Sequence, residues 1–120
     1  LKVVVCAPQV PCGGATGQVT ELAGVSLTPV SEETSVTNVL GKVTSGEADA
    51  GLVYTTDAKG AGDAVEVIEV PGADDIVNDY RIAVVKDAAN ADGAKSFMDL
   101  ILSDAGQKVL TDFGFGAPLS

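Results

Sequence analysis

The chain has 120 residues and a net charge of −10, and 46% of its residues are apolar. This length suits one domain with a real core, and the apolar fraction argues against disorder. The seven basic residues are scattered, which excludes the clustered Lys and Arg that nucleic-acid binding needs. Histidine is absent, which excludes Ser-His-Asp and Cys-His catalysis within the chain. We therefore expect no enzyme activity, no catalytic residue, no metal site and no cofactor.

The first part of the chain predicts a strand, a loop and a helix. Residues 2–6 are a valine-rich run, typical of a buried strand. Residues 7–14 contain two prolines and two glycines, which predicts a loop because these residues disfavour helix and central strand. A helix is predicted over 15–23, and Gly24 stops it.

The clearest helix is predicted over 33–45. Four apolar residues between Val36 and Val43 recur at i, i+3, i+4 and i+7, the spacing of one helical face. Residues 50–54 then form a short apolar run without charge, which predicts a strand covered on both faces. One helical turn and a glycine-rich loop are expected to follow.

The remaining pattern completes an alternation of strands and helices. Residues 65–70 alternate apolar and acidic side chains, which predicts a strand exposed on one face. Another strand is predicted at 81–85, and helices are predicted over 91–102 and 104–112. This order predicts an α/β fold, a mostly parallel sheet with flanking helices.

The two cysteines, Cys6 and Cys12, allow two interpretations. Their spacing fits neither the redox Cys-x-x-Cys motif nor a metal site, which needs more ligands. They are either two free buried thiols or a disulfide that staples the loop onto the end of the first strand. An even count, a short loop and an acidic chain without histidine favour the disulfide. A disulfide in turn indicates an oxidising compartment outside the cytosol.

Two positions lie where α/β sheets bind ligands, beyond the carboxyl ends of the strands. Tyr54 ends the strand predicted at 50–54, and its hydroxyl is a neutral donor. Ser31 or Thr34 is expected to cap the helix over 33–45, so the N–H of Val36 has no partner within the helix. The alternatives are a half-buried tyrosine without a ligand and a helix start satisfied by water or by its own cap.

A family resemblance extends this interpretation. Residues 46–58, GEADAGLVYTTDA, resemble the signature of the periplasmic molybdate-binding proteins of bacterial molybdate ABC transporters. The loop PQVPCG at 8–13, the run YRIAVV at 80–85 and the helices over 97–115 resemble further parts of that family, in the same order. The likeness covers nearly the whole chain but only the second half of the family. The cysteine pair resembles the form found in high-GC Gram-positive bacteria.

The resemblance implies the second lobe of a type II periplasmic binding protein fold. Residues 1–86 would form the second-lobe α/β segment, and residues 87–120 would be C-terminal helices that in the family return to the first lobe. The first lobe has no counterpart in this sequence, so the chain is expected to be truncated relative to the family. Its partners would then include the missing first lobe or another chain.

The resemblance also implies a function. It implies an extracytoplasmic solute-binding protein, in the periplasm or cell envelope and compatible with a lipid anchor in the full-length protein. Such proteins bind molybdate or tungstate and deliver it to an ABC-transporter permease. The family holds the oxyanion with neutral donors from both lobes, and two of them match this sequence, the backbone N–H of Val36 and the hydroxyl of Tyr54. The serine ligands of the family have no match here.

Two other functions stay open from the sequence. A flavodoxin-like enzyme domain would use Cys6 as a thiol nucleophile, but its neighbours Val5 and Ala7 are apolar and no basic residue lies near it in sequence. A related binding lobe would take another oxyanion, such as sulfate or phosphonate.

Overall fold

The computed structural model describes residues 1–119, and its contacts divide the chain into two units, Leu1–Val77 and Asn78–Ser120. The boundary predicted between residues 86 and 87 is a different one. It separates the second-lobe segment from the helices that return to the first lobe in the family, and it stays a prediction. The first unit holds the sheet, and the second holds a pair of helices.

The sheet of the first unit has three strands in the order β2-β1-β3, and both neighbouring pairs are parallel. The central strand carries Val4, which lies opposite Ser31 on one side and Gly51 on the other. The predicted α/β fold with a parallel sheet is therefore confirmed. The strands are β1 (Val3–Cys6), β2 (Ser31–Glu33) and β3 (Ala50–Gly51).

All four predicted helices are present, and the last two match their predicted bounds. The second begins later than predicted because residues 31–33 pair with β1 as a strand, and Ser35 then caps the helix. A further short helix follows β3, where the sequence predicted a single turn. The helices are α1 (Pro11–Ala23), α2 (Val36–Thr44), α3 (Thr55–Ala61), α4 (Ala91–Leu102) and α5 (Asp104–Asp112).

The prediction of a loop over 7–14 is wrong in its second half, because α1 already begins at Pro11. Proline suits the first helical position, where its missing N–H would have no helical partner. Gly13 is required for a different reason. A Cβ at Gly13 would lie 1.8 Å from the backbone oxygen of Ala7, so only glycine allows the loop to cross this turn.

Three strand predictions need correction. Residues 65–70 and 81–85 form no strand, and the strand predicted at 50–54 is only β3, Ala50–Gly51. The side-chain pattern of these segments is strand-like, but a strand also needs a neighbour that accepts its backbone hydrogen bonds. In the described part of the chain the sheet ends at β3, and residues 66–70 are exposed.

The core of the first unit lies between β1 and the helices. Val4 on β1 and Val39 on α2 are completely buried. Together with Cys6, Cys12 and Ala48 they form one buried cluster. This core cluster fixes α2 against β1, and it therefore fixes where the first turn of α2 stands relative to the strand ends.

The second unit is a helical hairpin. Ser103 caps α5 by accepting from the N–H of Gly106 at 3.2 Å. The side chain of Gln107 donates to the backbone oxygen of Ile101 at 2.8 Å and so joins α5 to α4. The rings of Tyr80 and Phe115 meet edge to face at 5.7 Å. No described residue of this unit is fully buried, so its apolar side chains are only partly covered.

The C-terminal apolar face comprises Phe97, Met98, Ile101 and Leu110, and Phe97 is 57% exposed. We expect the 120-residue chain to associate as its concentration rises, because water-exposed apolar surface favours burial against a second molecule. Sedimentation velocity over a concentration series measures this association. Phe97→Ser should weaken it, and a compact monomer at millimolar concentration would contradict the prediction.

Candidate functional site

The candidate site is the carboxyl edge of the sheet. Because the strands are parallel, β1, β2 and β3 all end at this edge. A helix follows each strand after a short connection, α1 from Pro11, α2 from Val36 and α3 from Thr55. Three helix N-termini therefore follow neighbouring strand ends, the arrangement that binds ligands in open α/β sheets.

Val36 is the first residue of α2. Its N–H therefore lies outside the hydrogen-bonding pattern of the helix, at the positive end of the helix dipole. The cap is Ser35, not Ser31 or Thr34 as expected, and its hydroxyl accepts from the N–H of Asn38 at 3.3 Å. The half-buried Val36 side chain packs against the core cluster. The first turn of α2 thus presents a backbone amide beside a neutral cap.

Tyr54 is the N-cap residue of α3 and is half-buried. It packs against the same core cluster as Val36, so one set of buried side chains supports both predicted site residues. The backbone N–H of Tyr54 donates to the carboxylate of Asp57 at 3.1 Å. The backbone N–H of Tyr54 is therefore already paired within the first turn of α3.

The N-termini of α2 and α3 differ in charge. The first turn of α3 contains the Asp57 carboxylate, which accepts a hydrogen bond from the backbone N–H of Tyr54. The first turn of α2 contains no acidic residue, and its cap is a hydroxyl. Because an anion is repelled by a carboxylate and attracted by the end of the helix dipole, α2 is the better of the two for anion binding.

The loop after β1 is fixed to the same edge. The N–H of Ala7 donates to the backbone oxygen of Glu33 at 2.7 Å, which ties the loop to the end of β2. A disulfide joins Cys6 at the end of β1 to Cys12 in the first turn of α1, with 5.6 Å between the Cα atoms. The disulfide interpretation is confirmed, and the free-thiol alternative is wrong.

The first turn of α1 also lies at this edge, which the sequence pattern does not predict. Cys12 is the second residue of α1, so its backbone N–H is also outside the helical hydrogen-bonding pattern. The loop predicted over 7–14 concealed this helix start. Pro11 was the available signal, because proline is favoured at the first position of a helix.

An ion pair joins Glu33, at the end of β2, to Lys42 in the last turn of α2. The Lys42 ammonium lies 2.8 Å from Oε1 of Glu33 and 3.1 Å from the Ser31 hydroxyl, which also donates to Glu33. The hydrogen bond from Lys42 is the main reason that the pKa of Glu33 lies below its usual value, and the Ser31 hydrogen bond adds to it. The same hydrogen bond raises the pKa of Lys42. Both groups are therefore charged at neutral pH.

A cavity of about 590 Å³ lies beside β3 in the first unit. Its walls are mainly apolar and include Val19, Leu40 and Val43, and it reaches Tyr54 but not Val36. The cavity also reaches Cys12 and Thr55 at the carboxyl edge, but its apolar lining offers few donors to an anion. Within residues 1–119, no cluster of three or more candidate metal ligands exists. In the same range, every helix is too short or too polar to cross a bilayer.

Removing the disulfide should destabilise the first unit. In the double variant Cys6→Ala/Cys12→Ala, the free energy of unfolding should fall by about 1–3 kcal/mol, a modest effect because the closed loop is short. Urea unfolding followed by circular dichroism measures this change. An unchanged unfolding midpoint, or two titratable thiols in the non-reduced protein, would contradict the prediction.

A parallel α/β unit whose helix N-termini follow neighbouring strand ends has the architecture of a ligand-binding lobe. Comparison with known families agrees, because the family model described as bacterial extracellular solute-binding protein matches residues 1–116. The chain therefore belongs to this family of solute-binding proteins.

Individual relatives narrow the comparison. The chain is 46% identical over 118 residues to the molybdate-binding protein ModA of Mycobacterium tuberculosis, covering 98% of this chain and 45% of that protein. It is 37% identical over 82 residues to ModA of Haemophilus influenzae, covering 68% of this chain and 32% of the relative. It is 38% identical over 85 residues to YvgL of Bacillus subtilis, a putative ABC transporter substrate-binding lipoprotein, with the same two coverages. The chain thus spans less than half the length of these relatives. No solved structure matches it significantly.

Proposed function

We propose that this chain is the oxyanion-binding part of an extracytoplasmic solute-binding protein that delivers molybdate or tungstate to an ABC transporter. The observation that carries the proposal is the pair formed by the Val36 amide and the Tyr54 side chain, both supported by one core cluster beside the strand ends. The names of the relatives support the choice of molybdate.

The chemistry of the edge fits an oxyanion dianion. A chain of charge −10 repels such an ion at long range, so affinity must come from short-range donors. Backbone N–H and tyrosine hydroxyl groups are uncharged, and they bind an anion by donating hydrogen bonds to it. A rigid set of such donors also selects by size, since sulfate and molybdate differ mainly in the spacing of their oxygens.

The proposed protein is not an enzyme. The flavodoxin-like alternative needed Cys6 as a thiolate nucleophile, but the sulfur of Cys6 is bonded to Cys12 and the residue is 2% exposed. A disulfide sulfur in the core has neither the free thiolate nor the access that such a reaction requires. This observation favours the binding function over the enzymatic one.

The proposed partners follow from the family. They are a permease of an ABC transporter and the remainder of the binding protein, either a first lobe or another chain that closes over the ligand. A location outside the cytoplasm is supported by the family description and by the disulfide. A lipid anchor on the complete protein is compatible with the lipoprotein named among the relatives.

The 120-residue chain alone should bind molybdate weakly, with a Kd in the millimolar range or above. Each hydrogen bond from a neutral donor to the charged ligand contributes a net ~1.5–3 kcal/mol, so two of them still fall short of the roughly 8 kcal/mol needed for micromolar affinity. A longer protein that carries the first lobe should bind tightly. Calorimetric titration of both proteins with molybdate, with sulfate as competitor, tests this difference, and micromolar binding by the short chain would contradict it.

In the longer protein, Tyr54→Phe should weaken molybdate binding by roughly tenfold, because it removes one donor to a charged ligand and keeps the ring in the core. The matched control is Tyr80→Phe in the second unit, which preserves the ring contact with Phe115 and should leave affinity unchanged. Equal molybdate affinities of the two variants would show that the Tyr54 hydroxyl does not contribute to binding.

A further inference from the structure

We propose that Lys42 is a positioning residue for oxyanion binding, which acts by neutralising the carboxylate of Glu33 at the end of β2. Without Lys42, Glu33 would carry an uncompensated negative charge three residues before Val36. This inference rests on the proposed function, because it concerns the affinity of the same site.

Glu33 forms contacts with three neighbouring segments of the first unit. Its backbone oxygen accepts from Ala7 in the loop after β1, and its carboxylate accepts from Lys42 on α2 and from Ser31 on β2. The side chain of Glu33 is 14% exposed and that of Lys42 is 34% exposed. The pair is thus better shielded from solvent than the other ion pair in residues 1–119, Lys108–Asp112, whose side chains are 74% and 59% exposed.

The position of the pair makes it relevant to an anion. Glu33 precedes Val36 by three residues, so their Cα atoms are at most about 10 Å apart. Lys42 lies six residues after Val36 on the same helix, a rise of about 9 Å. Both backbone spacings are close to the Debye length of about 10 Å at 0.1 M salt, so a charge at either residue acts on a ligand at the helix start in partly screened form.

The other acidic groups near this edge differ from Glu33. Asp57 accepts a backbone N–H, and Glu32 is exposed to solvent on β2. Glu47 adds a weaker attraction to Lys42. Glu33 is the carboxylate that combines a half-buried position, a place at the end of a strand and a direct contact with a lysine.

The test is a titration of the ¹⁵N-labelled 120-residue chain with sodium molybdate at constant ionic strength. Lys42→Gln should raise the Kd about three- to fivefold, the effect of one uncompensated charge about 10 Å from a dianion. Glu33→Gln should leave the Kd equal or lower. The double variant should return to the wild-type value, Lys42→Arg should match wild type, and higher salt should shrink the Lys42→Gln defect.

A different result is expected if the ion pair only holds β2 and α2 together and has no electrostatic effect on the ligand. If Lys42→Gln and Glu33→Gln weaken binding equally, and the double variant remains weak, the inference is overturned. Thermal unfolding of each variant separates loss of fold from loss of affinity. Equal Kd values for wild type and all variants would overturn only this inference, whereas absence of binding by the wild-type chain up to its solubility limit, together with absence in the longer protein, would overturn the proposed function.

Discussion

Replacing Gly13 by alanine should lower the free energy of unfolding of the first unit by about 3 kcal/mol or more. The added Cβ would lie 1.8 Å from the backbone oxygen of Ala7 and 2.9 Å from the Cα of Pro8. These are backbone atoms, which cannot rotate away as a side chain can. Relief would require the loop to move away from α1, against the disulfide and against the Ala7 hydrogen bond to Glu33.

The neighbouring glycine provides the matched control. Gly14 lies in the same turn of α1, and a Cβ there would meet no atom within 4 Å. Gly14→Ala should therefore stabilise the helix, by up to ~1 kcal/mol, through the higher helix propensity of alanine. Urea unfolding of the two variants measures the contrast. Similar stabilities for the Gly13 and Gly14 variants would contradict the close crossing of the loop over α1.

Replacing Val36 by proline should abolish measurable molybdate binding by the short chain and weaken the longer protein at least tenfold. Proline removes the amide that is proposed to donate to the anion, and a hydrogen bond to a charged group is worth ~1.5–3 kcal/mol. The fold should tolerate the change, because Val36 is the first helical residue and proline is favoured there. Ser35 already has φ −150° and ψ 151°, the extended conformation that the residue before proline adopts.

Val36→Ala separates the amide from the side chain. Alanine keeps the backbone N–H but removes methyl groups that pack against the core cluster. Stability should fall by about 1 kcal/mol, while affinity should stay within about twofold of wild type. Calorimetry measures the molybdate affinity of the proline and alanine variants, and urea unfolding measures their stability. If both variants bind like wild type, the Val36 amide does not contribute to the site.

The helices were predictable because their signals are local. The bounds of α4 and α5 followed from periodic apolar residues and from capping residues such as Ser103. The strands at 65–70 and 81–85 were not predictable in the same way. A strand forms only where another strand accepts its hydrogen bonds, and a single segment does not contain that information.

The site was only partly predictable. The places of Val36 at a helix start and Tyr54 at a strand end followed from the sequence pattern, and their role as ligand donors came from the family resemblance. Their support by a common core cluster required the structure. The start of α1 was obscured because glycines and prolines suggest a loop, although here they serve a tight crossing and a helix start. The contact of Glu33 with Lys42 joins a strand to a helix nine residues later, and no local pattern indicates it.

The central claim is that an oxyanion binds at the first turn of α2, and backbone amide resonances of the ¹⁵N-labelled chain during a molybdate titration test it most directly. We expect saturable shifts that are largest at Val36 and its neighbours in that turn, with a midpoint in the millimolar range. Sodium chloride at the same ionic strength should not reproduce them. Shifts that are linear and unsaturated there, or saturable shifts confined to α5 in the second unit, would contradict the account.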